Sequence, residues 1–235
     1  MRGLFRRPPA PGGRHELKHA ITQMDCTLLR TNLRHVMQPD PHAGADGSYR
    51  IRSVYFDNFD NKVLTEKKEG FYRRDKYRVR LYNLDTAHLT LEKKSKRDNM
   101  TYKSKCPVTA LEYERIRLGD TAWMETDERE LVRELQVRMK QLQLKPTVIV
   151  DYTREVFVYP HGNVRVTLDS DIRTGLRHDD VCNAHVPMTP VLGPGEAILE
   201  VKYDAYLPDH IRALLQIGAR TREAFSKYQL SRMYG

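Results

Sequence analysis

Arginines and lysines recur on alternate residues at several points in this sequence, usually with a carboxylate on the same side. That arrangement suits one chemistry well: gripping a polyanion together with a divalent metal. Lys76, Arg78 and Arg80 alternate with Tyr77, Val79 and Leu81. Arg14, Glu16 and Lys18 share one side of their stretch, Thr90, Glu92 and Lys94 another, and Arg165, Thr167 and Asp169 a third. Glu200 and Lys202 stand opposite Leu199 and Val201. Arginine forks onto two phosphate oxygens, whereas lysine supplies a mobile point charge. Mg²⁺ or Mn²⁺ takes one or two carboxylates and fills its remaining positions with phosphate oxygens and water. Glu16, Glu92, Asp169 and Glu200 are the carboxylates these faces offer to such an ion.

Alternation with a period of two requires strands with two chemically different faces. Further strands are expected at residues 50–56 and 147–157. Helices should cover them. Leu131, Leu135, Met139 and Leu142 recur at helical spacing over residues 127–143, with Asp127 and Glu130 as a capping-box pattern and Pro146 beyond the end. Leu29, Leu33 and Val36 mark an earlier helix, and shorter ones are expected at about residues 208–218 and 222–232. Residues 38–47 and 173–195 lack periodicity and read as loops. Lys103 and Lys105, just past the Lys94 strand, either extend its basic face or form a solvated pair.

Composition limits the partners. The 235 residues carry a formal net charge of +9, with 30% of them charged, which favours nucleic acid, a membrane surface or polyphosphate. The three cysteines, Cys26, Cys106 and Cys182, are widely spaced, which argues against a disulfide framework or a structural zinc site and points to a reducing, cytoplasmic setting. No apolar run approaches the roughly 18 residues of a membrane span. Residues 1–12 read as a flexible basic arm and residues 13–235 as a single domain. No P-loop and no HExxH motif occurs.

Like cations opposite one another across a sheet repel, so a sheet bearing many of them gains only if a multivalent anion sits among them. Closing the sheet would turn its apolar face toward the helices and its charged face inward. An eight-stranded barrel leaves a bore about one ligand wide. It would admit a phosphate chain but no duplex. The expected fold is therefore α+β: a closed antiparallel β tunnel of about eight strands with covering helices.

The motifs RHELK, SVYFDN, YRVRLY, TLEKK, VDYTREVF, VRVTLD, ILEVKY and FSKY, in this order, resemble the polyphosphate polymerase domain of the VTC (vacuolar transporter chaperone) family. That family is part of the triphosphate tunnel metalloenzyme superfamily, related to the CYTH hydrolases. The resemblance spans about residues 14–228. It implies transfer of the ATP γ-phosphate to a growing inorganic polyphosphate chain, with Mn²⁺ or Mg²⁺ as cofactor. It implies phosphate-binding roles for Lys18, Arg78, Arg80, Lys94, Arg154 and Arg165, a metal-binding role for Glu200, and a tunnel-end lysine at Lys227. Arg154 and Lys227 rest on the resemblance alone. Arg14, Lys76 and Lys202 join the expected phosphate-binding set from their place on the charged faces. Tyr55 and Asp57 match the family but read as shaping a strand end.

The wider superfamily carries an ExExK signature on its first strand, and here Arg14 occupies the first glutamate position. Lys202 stands where RNA triphosphatases tend to have a second glutamate. Both changes favour holding a longer polyanion over hydrolysis by two metals. The alternatives are a tripolyphosphatase or nucleoside triphosphatase of the same fold, or a polyphosphate-binding module without catalysis. Nucleic acid is not expected as a partner, because the aromatic residues fall mostly at apolar positions and form no stacking platform.

Overall fold

The alternating stretches become strands of one antiparallel sheet. The computed structural model describes residues 14–97, 100–216 and 226–232; the basic arm read at residues 1–12 lies outside them. Among the described residues the strands are β1 His15–Thr22, β2 Gln38–Pro39, β3 Ser48–Asp57, β4 Arg73–Tyr82, β5 Leu89–Arg97, β6 Met100–Val108, β7 Lys145–Tyr159, β8 Val164–Thr174, β9 Thr189–Pro190 and β10 Glu196–Tyr203. Eight of them run in the order β1-β10-β8-β7-β3-β4-β5-β6, while the two-residue strands β2 and β9 attach to β7 and β8.

The helices are α1 Gln23–Arg34, α2 Lys62–Lys68, α3 Ala110–Arg117, α4 Glu130–Leu142, α5 Asp209–Leu215 and α6 Lys227–Ser231. α1 starts on a capping box: the Thr22 hydroxyl accepts from the Asp25 amide, and the Asp25 carboxylate accepts from the Thr22 amide. Its buried Cys26, Leu29 and Leu33 join Ile211 and Leu215 of α5 over Ile21, Val166, Leu168, Leu199 and Val201 of the sheet. On the other half, Leu131, Val132 and Leu135 of α4 share a core with Tyr77, Val79, Leu81, Leu89 and Leu91. α1, α4 and α5 thus meet the apolar side of the alternation, which leaves the charged side facing away from them. Among the described residues no helix is long and apolar enough to cross a membrane.

Several expectations change. The sheet is not closed by hydrogen bonds: among the described residues no ladder joins β1 to β6. Both edges carry residues that discourage pairing. On β6, Lys103 and Lys105 are charged and Pro107 lacks an amide donor; on β1, Glu16 and Lys18 are charged. The sheet nonetheless curls far round, because the Lys94 ammonium on β5 lies 3.4 Å from the Glu16 carboxylate on β1, the seventh and first strands of the order. Its edges approach through side chains, not backbone.

α4 begins later than expected, at Glu130, without a side-chain cap. Asp127 accepts instead from the Arg129 amide and guanidinium. Val36 lies beyond α1 and is partly exposed. The loops at 38–47 and 173–195 contribute β2, β9 and the last two residues of β8. α5 ends at Leu215 and α6 starts at Lys227, so parts of both expected C-terminal helices fall outside the described residues.

Candidate functional site

Antiparallel register sets the inward face. Arg78 stands opposite Tyr55 on β3 and Glu92 on β5, and Arg80 opposite Ser53 and Thr90. The Arg78 Nε and Nη2 donate to Glu92 at 2.7 and 2.5 Å, while its Nη1 donates to the Tyr55 hydroxyl at 2.9 Å. Arg80 donates to Ser53 Oγ at 3.1 Å and to the Tyr152 hydroxyl at 3.3 Å. Lys103 reaches Glu92 at 2.6 Å. Burial would raise the Glu92 pKa, but Arg78, Arg80 and Lys103 outweigh it and hold the carboxyl at about 2. Lys105 stands opposite Glu92 in register and is exposed.

On the same face, Arg154 on β7 forks onto both oxygens of the fully buried Asp169 on β8, at 2.6 and 2.7 Å. Lys227 of α6 meets the same carboxylate at 2.5 Å and lies 4.8 Å from the centroid of the Tyr152 ring. Burial pushes Asp169 up, yet Arg154 and Lys227 keep it ionised below the usual range. Arg165 is engaged at the far end of β8, donating to Asp40 at 3.0 Å and to the Tyr49 hydroxyl at 3.2 Å.

The third group joins β1 and β10. Register places Lys18 opposite Glu200 and Glu16 opposite Lys202. Lys18 lies 2.9 Å from Glu16 and 3.6 Å from Glu200; Lys94 meets Glu16, and Lys202 meets Glu200. Burial and the neighbouring Glu200 push Glu16 up, but Lys18, Lys94 and Lys202 prevail and hold it at about 2. Glu200 is 95% shielded from solvent, and Lys202, Lys18 and Arg154 overcome the effect of burial to hold it well below the usual carboxylate range. Lys18 is pushed up to about 12 because Glu200 and Glu16 outweigh its burial. Arg14 is engaged elsewhere: it pairs with Asp204 at 2.9 Å and donates to the Asn163 carbonyl.

One row of cations crosses three strands. Lys76 on β4 stands opposite Lys94 on β5, which stands opposite Lys103 on β6. Lys94 has Glu16 and Lys103 has Glu92 as ion-pair partners. Lys76 instead meets the Ser226 hydroxyl at 3.5 Å and the Tyr228 ring at 5.2 Å. Burial, reinforced by Lys67, Arg74, Lys94 and Lys18, pushes Lys76 down to about 7.

The carboxylates differ in what they have left to offer an ion. Asp169 accepts an Arg154 fork on both its oxygens, and Glu92 accepts two Arg78 donors on one oxygen and Lys103 on the other, whereas Glu16 and Glu200 are flanked mainly by lysines. Among the described residues no group of three or more His, Cys, Asp or Glu side chains is placed to hold a metal ion. Two neighbouring carboxylates fit an ion that takes most of its ligands from phosphate and water.

Sequence patterning did not mark the hydroxyl partners Tyr49, Ser53 and Tyr152. They sit on β3 and β7, which are buried on both faces, so alternation there is weak. Asp57 does shape a strand end. Its carboxylate accepts from the amides of Val63 and Leu64 at the start of α2 and from the Tyr228 hydroxyl of α6, which ties down the helix that carries Lys227.

The model of the VTC domain family matches residues 13–234, and the chain belongs to that family. No curated protein matches. Similar solved structures include the PH1819 protein from Pyrococcus horikoshii OT3, 13% identical with a TM-score of 0.49, covering 94% of this chain and 96% of that one. The PH1012 protein from the same organism is 14% identical with a TM-score of 0.47, covering 92% of this chain and 98% of that one.

Proposed function

We propose that this member of the VTC domain family is a metal-dependent polyphosphate polymerase, moving the γ-phosphoryl group of ATP onto the end of a polyphosphate chain and releasing ADP. The observation that carries the reading is the lysine row of β4, β5 and β6 beside two lysine-flanked carboxylates, on a face that also bears Arg78, Arg80 and Arg154. Juxtaposed like charges on a partly buried face are costly until a polyanion separates them.

Phosphoryl transfer depends on positioning and charge neutralisation more than on covalent help. Arg78, Arg80, Arg154 and Arg165 would exchange part of their present hydrogen bonding for non-bridging phosphate oxygens. Glu200 with Glu16 would hold Mn²⁺ or Mg²⁺, which neutralises charge on neighbouring phosphates. Lys18, Lys202 and Lys94 can swing from the carboxylates to the chain, since each is a single charge on a flexible stem. The terminal oxygen of the acceptor chain is already an anion. It attacks the γ-phosphorus in line, the bond to the β–γ bridging oxygen breaks, and ADP takes the electron pair. No general base is needed.

Purified protein given ATP and Mn²⁺ should produce a long polymer that exopolyphosphatase degrades. Release of ADP and orthophosphate in equal amounts, without polymer, would replace this reading with the hydrolase of the same fold. Binding of polyphosphate without any ADP release would leave a binding module.

A further inference from the structure

The opposite face of the same sheet carries a second cationic cluster that the lumen chemistry does not use. Arg50 and Arg52 alternate with the inward residues of β3, and Asp151 and Arg173 stand in register beside Arg52 on β7 and β8. All of them therefore face away from Ser53 and Tyr152. Three guanidinium groups converge on the Asp151 carboxylate. Arg50 Nε donates at 2.8 and 3.1 Å, Arg52 Nε at 2.7 Å and Arg173 Nη2 at 3.2 Å. Asp151 and Arg52 are both fully buried. Arg52 also donates through Nη1 to the Asn183 carbonyl at 2.6 Å, so the segment after β8 forms a roof over the cluster. That roof is pinned to β7 by the Gly175 amide, which donates to the Ile149 carbonyl at 2.9 Å.

The cluster is short of negative charge. Three cations meet one buried carboxylate, and the other acid at hand, Asp171, lies 3.3 Å from Arg173 with its side chain 55% exposed. Among the described residues no hydrogen bond or ion pair joins Asp179 or Asp180 of the roof to these arginines; Asp179 pairs with Arg117 at 3.4 Å. Two buried donors, Arg52 Nη2 and Arg173 Nε, have no hydrogen-bond partner. A buried cation without compensation is among the costlier features a fold can carry. A water molecule would satisfy a donor but not the charge. The side chains of Arg50 and Arg173 are 32% and 28% exposed, so the cluster can be reached from solvent.

We propose that Arg50, Arg52 and Arg173 form a second anion site, outside the lumen, that takes a small tetrahedral oxyanion of the phosphate class. The two free donors and the forked geometry of arginine suit two or three oxygens of one such group. Binding there would fasten the Asn183 segment to β3 and β8. The site is independent of polymerase activity.

The test is calorimetric titration of inorganic phosphate, and in parallel of phosphoserine, into the metal-free chain. The proteins are wild type, Arg50→Gln, Arg173→Gln and the lumen variant Arg78→Gln. Both outer substitutions fall on partly exposed side chains and leave the Arg52–Asp151 pair in place. Phosphate affinity should fall about tenfold or more in R50Q and R173Q and persist in R78Q, while R50Q and R173Q keep wild-type affinity for tripolyphosphate. Phosphate binding with no phosphoserine binding assigns the site to the free ion; binding of both assigns it to phosphate esters as well. The proposal is overturned if phosphate binding is lost in R78Q but unchanged in R50Q and R173Q, if neither probe binds outside the lumen, or if the outer variants lose tripolyphosphate binding to the same degree.

Discussion

The charged face of the sheet holds two kinds of carboxylate. Glu92 and Asp169 are gripped by arginines from the adjacent strand, with donor distances of 2.5–2.7 Å. Glu16 and Glu200 lie between strands β1 and β10, and among the described residues their ion-pair partners are the ammonium groups of Lys18, Lys94 and Lys202. All four are held ionised by neighbouring cations against the effect of burial. The difference lies in exchangeability. A guanidinium donating through two N–H groups holds a carboxylate more firmly than an ammonium, a single point charge on a flexible stem. Under the proposed function, the arginine-bound acids would orient the groups that grip phosphate, and the lysine-flanked acids would remain available to a metal.

Four experiments test that division. Arg154→Ala should have the largest effect, because it leaves fully buried Asp169 with Lys227 as its remaining ion-pair partner; breaking such a pair costs about 3–5 kcal/mol, read from the urea midpoint. A loss below about 1 kcal/mol would show that Asp169 is not locked. Next comes Glu200→Gln, expected to lower metal-dependent turnover by about 100-fold while tripolyphosphate affinity changes little. Glu92→Gln should do the reverse, weakening tripolyphosphate binding more than it shifts the metal concentration giving half-maximal rate. Equal effects of the two substitutions on metal dependence would erase the distinction. Arg78→Lys, which keeps the charge and loses the fork, should weaken tripolyphosphate binding by about tenfold.

The smallest effect concerns Lys76. Burial and surrounding cations place its pKa at about 7 in the ligand-free protein. Polyphosphate favours the ammonium form, so binding should take up a proton and weaken by at most about fivefold from pH 7 to 8. Lys76→Met should flatten that slope. The sign for stability is opposite. The unfolded chain keeps the lysine proton that the fold has lost, so the ligand-free fold gains stability as pH rises from about 7 toward the ordinary lysine value.

Much of this site was legible where strands are half-buried. On β4, β5, β8 and β10 apolar residues face helices and charged ones face inward, so spacing alone identified Arg78, Lys94, Arg165 and Glu200 as sharing faces. It failed on β3 and β7. There charges occur on both sides, and Arg52 and Asp151 face out while Tyr152 and Arg154 face in. β6 escaped because Met-Thr-Tyr-Lys-Ser-Lys-Cys-Pro-Val has little apolar alternation. α2 and α3 are short and carry no clear period, whereas α6 falls inside the helix expected at 222–232, with Lys227 at its start. Alternation also reports which face is charged, not whether two edges will meet.

That last point bears on the seam between β1 and the β5–β6 edge. A barrel sealed by a continuous ladder has its bore set by strand number and shear. Here the wall is a split ring, bridged by Lys94 and Glu16 at 3.4 Å. Its circumference can widen without breaking a backbone hydrogen bond, and salt weakens the clasp. Such a wall can adjust its curvature where a continuously laddered barrel cannot.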